Sequence, residues 1–236
     1  MEAIILAGGL GTRLRSRLTD TPKSMAPVAG TPFLQILLDQ LISAGCNRVI
    51  LSVGHLRQVI LDAFQNNYRG LPIHYVIEQT PLGTGGAIRL ALQHTQQPSA
   101  LVLNGDTYVN ADFAAMLSLH ASTSGPMTMA VTRVENTSRY GGVLVDDHHV
   151  TGFIEKGRKG PGWINAGAYV LSRDFPWPPS LPAQFSFETD VLVPFLTSLW
   201  PNAFTHAGYF LDIGVPEDLD RAQVELATRI DTSSNK

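Results

Sequence analysis

The sequence predicts an α/β protein, a doubly wound mixed sheet with a small β-rich lobe in its second half. Three observations predict it. Short apolar runs alternate with amphipathic runs through the first half of the chain, the pattern of parallel strands joined by crossover helices. A glycine-rich stretch, Gly8-Gly9-Leu10-Gly11, follows the first apolar run directly. After residue 125 helical periodicity gives way to short strand-like runs broken by turn residues.

The elements follow in order. Residues 3–7 read as a buried strand that runs into the glycines. Residues 33–43 read as a helix, because Leu34, Leu37, Leu38 and Leu41 recur at helical spacing and Gly45 stops them. A strand over 49–53, a helix over 56–64, a strand over 73–77 and a helix over 86–93 continue the alternation. The strand over 100–103 ends at Asn104-Gly105-Asp106, and a helix over 111–122 closes the half. Runs 127–134, 142–145 and 150–154 read as short strands, with 146–149 as a hairpin turn. A strand over 166–171, a loop and helix over 185–200 and a late strand over 204–213 follow. The last helix spans 216–229, where Pro216 suits the first turn and Glu217 and Asp218 suit the positive end of the dipole. Residues 1–230 form one domain, and 231–236 read as a flexible tail.

Composition excludes several classes. Lys plus Arg number 17 against 20 Asp plus Glu, so no broad basic face points to nucleic acid. Hydrophobic residues make up 44% of the 236, enough for a core without staples. The single Cys46 allows no internal disulfide and reads as a small core residue. The apolar start is too short for a signal peptide or a membrane span. A cytoplasmic protein with no membrane partner is the expectation, and homo-oligomerisation is left open.

Two stretches carry chemistry. In Leu6-Ala7-Gly8-Gly9-Leu10-Gly11-Thr12-Arg13 the glycines let backbone amides approach phosphate oxygens, and Arg13 adds a fork of donors. This is neither the dinucleotide fingerprint, which needs a third glycine where Leu14 stands, nor a Walker loop, which needs Gly-Lys-Ser/Thr. A glycine-rich turn beside a surface Arg is the plain alternative. In Thr21-Pro22-Lys23-Ser24-Met25-Ala26-Pro27 two prolines hold Lys23 in a rigid segment near that loop; a solvated surface lysine is the plain reading, and with Arg13 ten residues earlier the pair suggests two cations converging on a polyphosphate. The seven histidines show no metal spacing, and His148 and His149 fall in a turn.

These residues lie within GGLGTRLRSRLTDTPKSMAPVAGTP, which resembles the signature of sugar-phosphate nucleotidyltransferases. The resemblance continues in order through PLGTGGAI, LNGDTYVN, RYGGV, FIEKG, INAGAYV and YFLDIGVPEDLDRAQ. Within the family, PLGTGGAI, FSFETDVL and FLDIGVPEDLDRAQ resemble the guanylyltransferases of D-glycero-α-D-manno-heptose 1-phosphate. The resemblance implies a Rossmann-like sheet of the nucleotide-diphospho-sugar transferase type. Residues 1–125 would mainly serve the nucleotide and 126–230 the sugar phosphate.

It also implies roles. Leu6, Gly8, Gly9, Gly83 and Thr84 would lie along the nucleotide, and Arg13 and Lys23 would grip the triphosphate as catalytic cations. Asp106 and Asp212 would bind Mg²⁺, which takes oxygen ligands and often only one or two carboxylates. Tyr140, Gly141, Glu155 and Asn165 would line the sugar pocket, and Lys156 would hold the sugar's phosphate. Glu78, before the 81–83 turn, would face the base. One carboxylate accepts both N1–H and N2–H₂ of guanine, which leans toward GTP. Uridylyl or thymidylyl transfer to an amino-sugar or glucose 1-phosphate stays open. A non-catalytic nucleotide-sugar sensor would be expected to lack Arg13, Lys23, Asp106 or Asp212, and all four are present.

Overall fold

The computed structural model describes residues 1–14, 17–205 and 207–227. β1 (Glu2–Leu6) runs through the glycine loop into two 3-10 turns, Thr12–Leu14 and Lys23–Met25, and a ribbon of β2 (Pro27–Val28) and β3 (Thr31–Pro32). Then come α1 (Phe33–Ser43), β4 (Arg48–Val53), α2 (Arg57–Phe64), β5 (Asn67–Tyr68), β6 (Leu71–Ile77), α3 (Gly83–Leu92) and β7 (Ser99–Asn104). The middle holds β8 (Thr107–Val109), α4 (Phe113–Ser122), β9 (Met127–Val134), the hairpin β10 (Gly142–Asp146) and β11 (His149–Ile154), and β12 (Gly162–Ser172). A π-helical turn at Glu188–Leu192, α5 (Leu196–Leu199), β13 (Asn202–Phe204), β14 (Phe210–Asp212) and α6 (Pro216–Glu225) complete it. The expected end of the last helix at residue 229 and the tail lie outside the described residues.

Ten strands form one sheet in the order β10-β11-β13-β9-β12-β7-β1-β4-β6-β5. β7, β1, β4 and β6 run parallel, and β12 is antiparallel to both β7 and β9. The β-rich half therefore extends the same sheet. From β1 the chain winds outward through β4 and β6, then returns to lay β7 on the other side of β1. That reversal opens a crevice at the carboxyl ends of β1 and β7, where such sheets bind ligands.

Both faces of the parallel strands are covered, which is why these strands read as unbroken apolar runs. Ala3 and Ile5 face one core with α1, α2, α4 and α6, while Ile4 faces a second with α3 and residues 175–203. α1 buries Phe33, Leu34, Leu37, Leu38 and Leu41 in the first core, at roughly 1.5–3 kcal/mol per side chain. Asp112 accepts from the Ala115 amide at 2.9 Å and so starts α4 at Phe113. Leu56, with φ 56°, precedes α2 and does not open it.

One expected element is corrected. Residues 204–213 are not one strand. β13 joins the main sheet parallel to β9, whereas β14 leaves it to pair with β8. Around Gly208 the chain hydrogen-bonds to Asn110 instead, through Gly208 N to Asn110 O (2.7 Å) and Asn110 N to Tyr209 O (2.8 Å). The 146–149 turn is present, with positive φ at Asp147 and His148, as a two-residue hairpin requires. The His149 ring packs 5.0 Å from that of Trp200 and is not simply solvated. Cys46 is half-buried against the first core, and burial pushes its thiol pKa up.

Candidate active site

β1 and β7 deliver their carboxyl ends side by side, with Leu6 opposite Asn104. The glycine loop leaves β1 there, and Asp106 sits in the turn leaving β7. Gly105 makes this turn fit: its amide donates to Leu6 O at 3.0 Å, and a Cβ would fall 2.5 Å from that same oxygen. β8 then pairs antiparallel with β14, setting Asp212 opposite Thr107. The Ile213 amide donates to Asp106 O at 2.9 Å. Two aspartates half the chain apart are thus joined by backbone pairing.

Their carboxylates close on one cation. Lys23 Nζ is ion-paired with Asp106 Oδ2 and stands 3.7 Å from Asp212 Oδ1. The Lys23 side chain is only 12% exposed. The Gly214 amide donates to Asp212 Oδ1 at 2.6 Å. Burial first, and then the charge of Asp106, raises the Asp212 carboxyl above its ordinary pKa; Lys23, Gly214 and Arg13 oppose the shift. The donor set fits Mg²⁺. It is all oxygen, it carries two negative charges, and a cationic ammonium already stands between them. Among the described residues no larger cluster of His, Cys, Asp and Glu could hold a metal.

Around this centre the expected nucleotide residues divide. Arg13 is exposed on its 3-10 turn and makes no ion pair among the described residues. Glu78 is 8% exposed, and its carboxylate accepts from Ser52 Oγ (2.9 Å) and the Leu82 amide (3.2 Å). It lies so close to Gly8 that a Cβ there would displace the Glu78 carboxylate. Gly83 and Thr84, at the start of α3, pack against the segment at 185–187. Gly83 has φ +69° and abuts the Phe185 backbone, and Thr84 Oγ1 accepts from the Phe187 amide at 2.9 Å.

The expected sugar residues come from the β-rich half. Tyr140 sits edge-on to Phe210, ring centroids 5.2 Å apart, so it touches the strand that carries Asp212. Burial raises its hydroxyl pKa. Gly141 lies against Ile154 and the stem of Lys156. Glu155 and Lys156 are exposed and make no ion pair among the described residues. Asn165 lies where the β9–β12 register slips, a bulge of the kind that re-aims side chains near active sites. Its Nδ2 donates to Tyr169 Oη (2.7 Å) and Glu188 Oε2 (3.4 Å), and its Oδ1 accepts from the Gly167 amide (3.0 Å).

Sequence reasoning missed two residues here. Arg139 stacks over Tyr140 at 5.1 Å and is ion-paired with Asp218, which is 2% exposed and also held by Arg221 at 3.2 Å. Glu188 faces Asn165 from the π-helical turn. Both stood inside quoted motifs, RYGGV and FSFETDVL, so the signal was present and unused.

The chain is similar to known proteins in sequence and in fold. The chain is 42% identical over 226 residues to the D-glycero-α-D-manno-heptose 1-phosphate guanylyltransferase of Aneurinibacillus thermoaerophilus, covering 96% of this chain and 98% of that protein. The crystal structure of HddC from Yersinia pseudotuberculosis superposes with a TM-score of 0.83 at 39% identity, covering 95% of this chain and 99% of that one. The same protein complexed with GMP-PN superposes at 0.81 with 38% identity and the same coverage. Residues 2–229 match the nucleotidyl transferase family. That span takes in every element from β1 to α6, and the chain belongs to the nucleotidyl transferase family.

Proposed function

We propose that the protein is a cytoplasmic guanylyltransferase that joins GTP to D-glycero-α-D-manno-heptose 1-phosphate, releasing pyrophosphate. The observation that carries this reading is the convergence of Lys23, Asp106 and Asp212 at the mouth of the crevice. It occurs in a chain 42% identical, over nearly its whole length, to a heptose 1-phosphate guanylyltransferase. HddC, its structural neighbour, was solved complexed with GMP-PN, which supports a guanine nucleotide.

The chemistry asks little of the protein beyond placement and charge. A phosphate oxygen of the sugar 1-phosphate attacks the α-phosphorus, and the bond to the pyrophosphate oxygen breaks on the opposite side. The nucleophile is already an anion, so no general base is needed. Alignment and preorganised cations do the work. Leu6, Gly8 and Gly9 lie along the nucleotide, with Gly83 and Thr84 at the start of α3. Arg13 and Lys23 hold the triphosphate, Lys156 holds the sugar's phosphate, and Tyr140, Gly141, Glu155 and Asn165 surround the sugar. Glu78 retains acceptor capacity beyond its two internal bonds, enough for the guanine edge. Asp106 and Asp212 would hold Mg²⁺, which would neutralise phosphate charge. Among the described residues no helix is long and apolar enough to cross a membrane.

The test is pyrophosphate release across GTP, ATP, UTP and dTTP, each with heptose, mannose, glucose and N-acetylated amino-sugar 1-phosphates. GTP with the manno-configured heptose should give the highest kcat/KM. Preference for UTP or dTTP would overturn the guanylyl assignment and leave nucleotidyl transfer standing.

A further inference from the structure

We propose that Lys23 closes the divalent-cation site in the free protein, and that nucleotide phosphate opens it by drawing the ammonium away. Lys23 then has two stations, one between the aspartates and one on the triphosphate, and it links nucleotide binding to metal binding.

Lys23 occupies the first station in this structure. Nζ is ion-paired with Asp106 Oδ2 and lies 3.7 Å from Asp212 Oδ1, so it stands between the two carboxylates that would hold a metal. The space is shaped for it. A Cβ on Gly214 would fall 3.2 Å from Nζ and 2.7 Å from Asp212 Oδ1, so any side chain there would crowd the ammonium and the carboxylate together. An ammonium and a divalent cation cannot share that position, and the ammonium left nearby would repel the incoming charge.

The second station follows from how Lys23 is mounted. Its backbone is fixed in the 3-10 turn after Pro22, and its Cβ packs 3.3 Å from where a Gly11 Cβ would lie. Only the flexible four-carbon stem can move. The glycine loop beside it offers backbone amides to phosphate. Arg13 makes no ion pair among the described residues, so an arriving triphosphate meets a free guanidinium first. Phosphate oxygens settled on the loop give the ammonium a new anion, and the stem turns from the aspartates toward them. The two carboxylates are then left close together without their cation, which raises their affinity for a divalent one. By linkage, metal in the site favours nucleotide by the same factor.

The inference rests on the nucleotidyl-transfer reading for the anion that moves Lys23, but its test needs no turnover. Mn²⁺ is titrated calorimetrically into nucleotide-free wild type, Lys23→Met, Lys23→Arg, Asp106→Asn and Lys23→Met/Asp106→Asn. Lys23→Met should bind Mn²⁺ more tightly than wild type, by roughly 5–150-fold. Lys23→Arg, which keeps the charge, should stay near wild type, and Asp106→Asn should abolish the gain. A non-hydrolysable GTP analogue should then raise Mn²⁺ affinity more in wild type than in Lys23→Met. Equal Mn²⁺ affinity in wild type and Lys23→Met, or a gain that survives Asp106→Asn, would overturn the proposal. If Lys23→Met does not fold, Lys23→Gln reads the same loss of charge. A wild type that prefers UTP in the pyrophosphate assay while showing this pattern loses the guanylyl reading and keeps the two-station lysine.

Discussion

Asp212 is held in a place where its own charge is unwelcome. Burial and Asp106 both raise its pKa, and Lys23, the Gly214 amide and Arg13 oppose them. That placement motivates the metal role proposed for it. Asp212→Asn should lower turnover by about 10²–10³-fold, the loss seen when a preorganised charge stabiliser is removed, while the circular-dichroism melt stays at least as high as wild type. Chelator should silence the wild type, and full turnover in chelator would refute the metal role. Lys156, proposed to hold the sugar's phosphate, is exposed on the turn after β11. Lys156→Ala should raise KM for the sugar 1-phosphate and leave KM for the nucleotide near wild type; the reverse would mean the two phosphate sites are exchanged. Glu78 is tied to Ser52 and Leu82 beside the glycine loop. Glu78→Gln should narrow the kcat/KM margin of GTP over UTP, and an unchanged margin would remove Glu78 from base reading.

α4 shows what an element adds to its residues. His120, in its last turn, is buried against the sheet, with ring nitrogens 3.3 Å from Thr128 Oγ1 on β9 and 3.3 Å from Ser172 Oγ on β12. Burial lowers its pKa. On β6 His74 is lowered too, by burial and then by His94. Native protein holds these rings neutral, whereas the unfolded chain protonates them at the ordinary imidazole value. Their stabilisation is therefore complete above about pH 6.5 and is lost as pH falls below it. Urea midpoints measured from pH 7.5 down to 5 should drop, and His120→Gln should flatten the drop; an unchanged slope would show that His120 does not contribute. Elements with a period of their own were legible in the sequence. α1 appears with the bounds its leucine spacing and Gly45 imply. β13 and β14 were not legible, because one nearly continuous apolar run serves two sheets and only the tertiary partners, β9 and β8, divide it. β8 is three residues long and too short to carry a period. The site followed the same rule. The motifs brought out Asp106, Asp212 and Lys23, but not that Lys23 lies between the two aspartates, because ion pairing across the fold has no local pattern. Gly83 and Thr84 were read as lying along the nucleotide, yet their packing on the segment at 185–187 needed a neighbour that only the fold supplies.

At the scale of the molecule, the last helix is tied to the loop before β10, within the β-rich half, around Asp218. This carboxylate is 2% exposed at the start of α6 and receives Arg139 from the loop before β10 and Arg221 from its own helix. Arg139 also covers Tyr140, which meets Phe210. Removing the arginine leaves a buried acid with one partner fewer, a loss of about 1–3 kcal/mol. It also frees Tyr140. Arg139→Ala should lower the urea midpoint and raise KM for the sugar 1-phosphate with little change in KM for the nucleotide. A change confined to stability would reduce Arg139 to a strut. The pairing of β14 with β8 has a consequence of another kind, in time rather than space. As the chain leaves the ribosome, the glycine loop, Lys23 and Asp106 emerge before Asp212, which arrives only with β14. Contacts so distant in sequence form late, because the loop they close must first be ordered. A nascent chain that has not reached β14 thus carries one of the two carboxylates, and the metal site proposed above is not complete until β14 has paired with β8.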